Sequence, residues 1–144
     1  MENIREEINK QGDRLTRQRL VILEYLRGVT CHPTAEQIHN EVKKQIANIS
    51  LATVYRNLKY LVENGFIIQI NTNDGKSHYD GNNRYHLHFI CRECVRVFDI
   101  WQVGQSIAKK LQPFGQIEQI ECNAYGVCRE CLGRNAEKIG SDRR

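Results

Sequence analysis

The 144-residue sequence predicts an α+β fold in two parts, a helical N-terminal part ending in a β-hairpin and a smaller, strand-rich C-terminal part. Three observations carry this expectation. Apolar residues recur at helical spacing behind polar caps as far as Gly65, the run FIIQI, NTNDGK, SHYD then changes to strand and turn residues, and two copies of C-x-x-C punctuate the C-terminal half.

Within the first part, Leu20, Leu23 and Leu26 repeat at three-residue spacing behind Thr16, a residue suited to cap a helix. In HPTAEQIHNEV, Thr34 and Gln37 have the spacing of a capping box, and Ala35, Ile38 and Val42 mark one buried stripe. In SLATVYRNLKYLVENG, Ser50 caps, Leu51, Val54, Leu58, Leu61 and Val62 keep to one face, and Gly65 ends the helix. FIIQI and SHYD pair as strands about the polar turn NTNDGK, so three helices and a two-stranded wing make a winged helix-turn-helix. The second part is expected to pair HLHFIC with VRVFDI, to form a helix over Val103 to Leu111, and to run QIEQIECNAYG as a further strand into the second Cys pair. This is a small α/β unit with its cysteines at the strand ends. The polar stretch DGNNRY, residues 80 to 85, suits the boundary, and KIGSDRR reads as a frayed, solvated end. The division is therefore 1–80, a hinge over 81–85, and 86–144.

Charge discriminates poorly. Residues 1 to 84 carry 12 basic and 10 acidic side chains and residues 85 to 144 carry 9 and 7, so the net +4 is spread evenly. Local clustering is more informative, because RLTRQR holds Arg14, Arg17 and Arg19 with no acid among them. MENIREEINK lacks the apolar core of a signal peptide, and nothing later approaches the roughly 20 apolar residues of a membrane span, so a cytoplasmic location is expected. Thiols stay reduced there, which makes six cysteines more suited to metal or redox chemistry than to disulfides.

Cys91 and Cys94 form one C-x-x-C and Cys128 and Cys131 another, each within the local sequence CREC. Two such knuckles supply the four thiolates of a tetrahedral zinc site, whereas a dithiol redox centre would need only one. Cys31 and Cys122 remain as ordinary thiols, Cys31 being notable for its neighbour His32. In YHLHFICREC, strand alternation puts His86, His88 and Ile90 on one face and Leu87, Phe89 and Cys91 on the other. The two imidazoles lie about 7 Å apart along the backbone, close enough to converge on one ion. Asp80, Asp99 and His32 are the other candidate ligands. His39 is expected to be a solvated helix residue, and His78 shares strand parity with Asp80.

HPTAEQI, ISLATVYRNLKYLVENG, YHLHFICREC and YGVCREC, in that order and at these separations, resemble the Fur family of bacterial metalloregulators over nearly the whole chain. The resemblance implies a winged-helix DNA-binding domain joined to a dimerisation domain, structural zinc on the four cysteines, and a regulatory metal between the domains. The matched regulatory ligands are His32, Asp80, His86, His88 and Asp99. Three nitrogens and two oxygens suit Fe(II) or Mn(II) and leave a position open. With Asp99 at a place where iron-uptake repressors often carry Glu, the set is most like the peroxide-sensing PerR branch. In that branch peroxide oxidises a ligating histidine through bound iron, and His32 and His86 match the susceptible positions. A further site of several iron-uptake members is missing, its matched positions being Tyr85, Leu87, Ser106 and Ile120. Arg56 points the other way, since many Fur-like proteins carry Arg there and some PerR-like ones Asn. The alternative is accordingly a ferric uptake regulator answering to iron occupancy alone.

Arg14, Arg17 and Arg19 suit phosphate contacts, while Tyr55 and Arg56 lie off the apolar stripe of the recognition helix, where they can touch bases. Ser50, Thr53 and Lys59 complete the expected DNA surface. An ion holding ligands from both domains would stabilise their closed arrangement, and closure would set the spacing of two recognition helices in a homodimer on operator DNA. A non-haem iron enzyme also uses two histidines and a carboxylate, but its ligands would not be divided across a domain junction and no scaffold for an organic substrate is evident.

Overall fold

Thr16 opens the first helix by accepting the amide of Arg19 at 3.3 Å, and α1 runs over Arg17–Arg27 to a C-cap at Gly28. The fold comes from a computed structural model that describes residues 16–101, 104–117 and 120–134. Arg14, Val103, the Glu118–Gln119 part of the expected last strand and the KIGSDRR end lie outside the described residues. The chain divides into two units: residues up to Asn71 with Gly75–Asn83, and Thr72–Asp74 with the residues from Arg84 onward.

In the first unit, α2 spans Ala35–Val42 and α3 spans Leu51–Glu63. Thr34 and Gln37 form a reciprocal capping box, the Thr34 amide reaching Gln37 Oε1 at 2.8 Å and the Gln37 amide reaching Thr34 Oγ1 at 3.4 Å. Ser50 caps α3 by accepting the Thr53 amide at 3.1 Å. Its other end is a Schellman turn: Gly65 takes φ 71°, its amide reaches Val62, and the amide of Phe66 reaches back to Leu61 at 2.9 Å. The three helices pack pairwise around Ile22, Leu23, Leu26, Ile38, Val54, Leu58, Leu61 and Phe66, all fully buried. Leu20, expected in the stripe of α1, is only half-buried. Val21 and Ile22 are inside with Leu23 because α1 is flanked by both α2 and α3, so a face wider than one stripe is covered. The wing pairs β1, Ile68–Asn71, with β2, Ser77–Asp80, antiparallel, and Ile70 faces His78 across the ladder. Gly81 comes directly after β2. A Cβ there would stand 2.5 Å from the Leu26 carbonyl carbon, so only glycine lets the wing's end lie against the last turn of α1.

The second unit is a three-stranded sheet in the order β4-β3-β5. Strand β3, Leu87–Cys91, runs antiparallel to β4, Val97–Ile100, and parallel to β5, Asn123–Gly126. Helix α4, Gly104–Leu111, followed by a 3₁₀ turn over Gln112–Phe114, links the outer strands. Two expected strands are shorter than their sequence patterns. VRVFDI pairs only from Val97, because Val95 lies at φ 62° in the turn after the first Cys pair, its amide bonded to the Cys91 carbonyl at 2.9 Å. Among the described residues of QIEQIECNAYG only Asn123–Gly126 is strand, paired with His88–Cys91 of the five-residue β3, which offers it no longer edge. Among the described residues no helix is long and apolar enough to cross a membrane.

Candidate metal centres

Cys91 closes β3, Cys94 lies in the turn beyond it, Cys128 comes after β5, and Cys131 sits in a last helical turn over residues 129–134. Parallel pairing of Cys91 with Gly126 brings the two knuckles together. Cys91 Sγ is 3.9 Å from Cys131 Sγ, Cys94 Sγ is 3.8 Å from Cys128 Sγ, and all four sulfurs lie within 4.8 Å of one another. A tetrahedron with Zn–S bonds of about 2.3 Å has sulfur–sulfur edges of about 3.8 Å, so the cluster fits zinc. Burial pushes the Cys131 thiol up to about 12. Burial acts on Cys91 in the same sense, yet amide donors from Cys94, Cys128 and Glu93 outweigh it and bring that thiol down to about 6. Amide donors thus favour the ionised form at Cys91 and burial the protonated form at Cys131, and a divalent cation would displace the protons that the cluster holds. Two arginines face the cluster: Arg134 donates to Cys131 Sγ at 2.8 Å, and Arg96, ion-paired with Glu130, lies 3.9 Å from Cys128 Sγ. Cys31 and Cys122 are both exposed free thiols.

The histidines and aspartates fall into two groups, one in each unit. In the first unit His32 Nε2 is 3.7 Å from Asp80 Oδ2, and both side chains are buried. Asp80 Oδ1 accepts the amide of Asn82 at 2.8 Å, which fixes the carboxylate at the end of β2. In the second unit the antiparallel register sets His88 directly opposite Asp99, and His86 lies two residues earlier on the same face. Asp99 Oδ1 is 3.5 Å from His86 Nε2 and 3.7 Å from His88 Nε2, and both imidazoles are buried. His86 Nδ1–H donates to the Arg84 carbonyl at 2.7 Å, which turns Nε2 toward Asp99. That is the arrangement of a neutral metal-ligating histidine, its other nitrogen held by a carbonyl. Imidazole nitrogens beside carboxylate oxygens form a donor set that fits Fe(II), Mn(II) or zinc.

The expected DNA-facing residues lie on the first unit, and most already contact neighbours. Tyr55 donates its hydroxyl to Glu36 at 2.9 Å, Arg56 donates to Thr53 Oγ1 at 3.1 Å, and the hydroxyls of Ser50 and Thr53 are 2.8 Å apart. Lys59 pairs loosely with Glu63 at 3.8 Å. Tyr55, Arg56 and Lys59 share with Gln69 and Tyr79 the lining of a 500 Å³ groove between α3 and the wing. Arg17 reaches the Gln45 carbonyl at 3.4 Å, and the Arg19 guanidinium stacks over the Tyr60 ring at 3.3 Å.

Residues 10–123 match the sequence model of the Ferric uptake regulator family. The chain belongs to that family. The peroxide operon regulator of Bacillus subtilis (strain 168) is 34% identical over 130 residues, spanning 88% of this chain and 89% of that protein. The peroxide-responsive repressor PerR of Staphylococcus aureus (strain USA300) is 33% identical over 128 residues, 86% of either chain. Among solved structures, the Campylobacter jejuni peroxide stress regulator aligns with a TM-score of 0.67 at 28% identity, covering 90% of this chain and 97% of that one. The protein is a Fur-family metal-dependent repressor, and the family comprises DNA-binding transcriptional regulators.

Sequence reasoning missed or misjudged several residues around these groups. His39, expected to be solvated, is half-buried, and its Nε2 lies 2.9 Å from the Ile49 carbonyl, a bond to the loop before α3 that helical periodicity does not encode. Trp101 stacks on His86 with ring centroids 4.4 Å apart. Its position two residues after Asp99, on the same strand parity, was the available signal. His78 turns its Nδ1 to the His32 carbonyl at 2.6 Å, a contact that strand parity with Asp80 hinted at without specifying.

Proposed function

We propose that this protein is a peroxide-sensing repressor that binds operator DNA as a homodimer. In this reading Cys91, Cys94, Cys128 and Cys131 hold structural zinc, and His32, Asp80, His86, His88 and Asp99 together hold one regulatory Fe(II) or Mn(II). The observation that carries it is the pair of buried groups, His32 with Asp80 in one unit and His86, His88 with Asp99 in the other, each already at ligand spacing. Neither group alone has the five donors that the ion would take; the two together make a three-nitrogen, two-oxygen set with room for one more ligand. Similarity to named peroxide regulators over more than four-fifths of the chain supports the same reading.

An ion shared by the units favours their closed arrangement by its higher affinity for it, and closure fixes the separation of the two α3 helices in a dimer. Those helices must meet half-sites about 34 Å apart. Arg14, Arg17 and Arg19 serve phosphates, while Ser50, Thr53, Tyr55, Arg56 and Lys59 lie along the base-reading helix. When the bound ion is iron it supplies the redox chemistry by which peroxide adds one oxygen to an adjacent imidazole and leaves as water. His32 and His86 are the expected targets, and either loss removes a ligand and weakens the hold on DNA. Mass spectrometry of iron-loaded protein after mild peroxide treatment tests this. One added oxygen on His32 or His86 is expected; an unmodified protein that still needs iron for DNA binding would instead identify a ferric uptake regulator governed by occupancy alone.

A further inference from the structure

The geometry points to His78 as a positioning residue for His32: its imidazole pins the His32 backbone carbonyl and thereby holds the His32 side chain beside Asp80. The inference rests on the reading of His32 and Asp80 as ligands, and adds a residue that does not itself take the ion.

His32 has φ 49°, in the left-handed region that residues with a Cβ seldom occupy. It also precedes Pro33, whose ring drives its predecessor toward extended backbone. Both local preferences oppose the conformation observed, so contacts from elsewhere in the fold must maintain it. Strand β2 supplies them. The His78 Nδ1–H donates to the His32 carbonyl at 2.6 Å, and the Tyr79 amide donates to the Pro33 carbonyl at 3.0 Å. Thr34 forms an isolated antiparallel bridge to His78. Beyond Thr34 the chain is tied by the capping box of α2, so the turn is anchored on its far side as well.

This lacing joins the segment that bears His32 to the strand that bears Asp80. Of the contacts, only the one from His78 comes from a side chain and falls on the carbonyl of the left-handed residue itself. A carbonyl can only accept, so Nδ1 carries the proton in this bond. The ring's Nε2 is buried with no hydrogen-bond partner among the described residues, so the His32 carbonyl is the imidazole's one polar contact. Without it, the left-handed turn loses its direct restraint and His32 is free to relax toward the extended backbone that Pro33 favours, carrying its imidazole away from Asp80.

Two substitutions of nearly identical shape separate this role from packing. His78→Leu removes the donor, whereas His78→Asn places an amide nitrogen the same number of bonds from the backbone as Nδ1. Zinc-loaded proteins are titrated with Co(II), followed by the visible absorption of the site formed by nitrogen and oxygen ligands, with zinc measured by metal analysis. The expected result is Co(II) affinity lowered about 10-fold or more in His78→Leu, the range for loss of a group that orients a metal ligand. His78→Asn restores it, and zinc content is unchanged throughout. Hydrogen exchange at the Tyr79 amide gives a readout independent of the regulatory ion: it quickens in His78→Leu and stays slow in His78→Asn. Equal Co(II) affinity in His78→Leu and wild type, equal weakness in both variants, or loss of zinc from His78→Leu would each overturn the assignment. Wild type taking up no Co(II) beyond its zinc would instead defeat the ligand reading, while the Tyr79 exchange comparison still decides whether His78 holds the turn.

Discussion

Replacing Gly81 by alanine should cost the first unit much of its stability and disturb Asp80, although the change adds only one methyl group, at a buried bend. The added Cβ would lie 2.5 Å from the Leu26 carbonyl carbon, 2.7 Å from the Arg27 amide nitrogen and 2.7 Å from the Leu26 carbonyl oxygen. Carbon contacts become favourable only beyond about 3.5 Å, so relief demands a separation of about 1 Å. Every atom met belongs to helix backbone, and the Gly28 amide ties that helix end to Glu24 and Tyr25, so no side-chain rotation can absorb the clash. Overpacking of this kind costs about 1–3 kcal/mol. A unit of this size loses about 4–8 °C of melting temperature per kcal/mol, so thermal unfolding followed by circular dichroism at fixed zinc should show a fall of at least about 4 °C. Gly133→Ala is the control: its Cβ meets nothing within 4 Å and the residue is helical, so stability should hold or rise slightly. Gly81→Ala melting together with wild type would refute the close approach of the wing to α1, and with it the account of how Asp80 is held.

Three further outcomes are expected. Stripping zinc with a chelator, or Cys91→Ser, should unfold the second unit, because a structural zinc site contributes on the order of 10 kcal/mol and the sheet's end is otherwise held by four sulfurs; retained β-sheet signal without zinc would contradict this. Trp101 is the only tryptophan and stacks on His86, so Mn(II) titration should quench its emission in proportion to occupancy; unchanged emission with manganese bound would separate His86 from the ion. Thr34→Ala should lose about 1 kcal/mol in urea denaturation through the broken capping box, and an unchanged midpoint would mean that the box does not hold α2.

Legibility in the sequence tracked the range of the physics involved. Caps and stripes act over three or four residues, so Thr34 with Gln37 and the apolar face of α3 could be read directly. The co-facial placement of His86 and His88 comes from strand alternation, and the equal C-x-x-C spacing announces two matching knuckles. The features that could not be read depend on elements meeting through space. Nothing local marks His32 or Val95 for positive φ: Pro33 favours an extended predecessor, and the β-branched Val95 side chain disfavours the left-handed region. The bond from His39 to Ile49 and the approach of Gly81 to α1 arise only once helices and wing have packed. Among the described residues the last strand is shorter than its sequence pattern, because its length is set by the edge of β3 and not by its own propensity.

The most direct measurement of the central claim is the Mn(II) stoichiometry of zinc-loaded protein, read from the electron paramagnetic resonance of unbound Mn(II), in wild type, His32→Ala and Asp99→Ala. One ion per chain, lost in either variant while zinc stays in place, is the expected result, since the substitutions lie in different units yet would each remove a ligand of the one proposed site. Full manganese binding in either variant would contradict a single ion held by both groups.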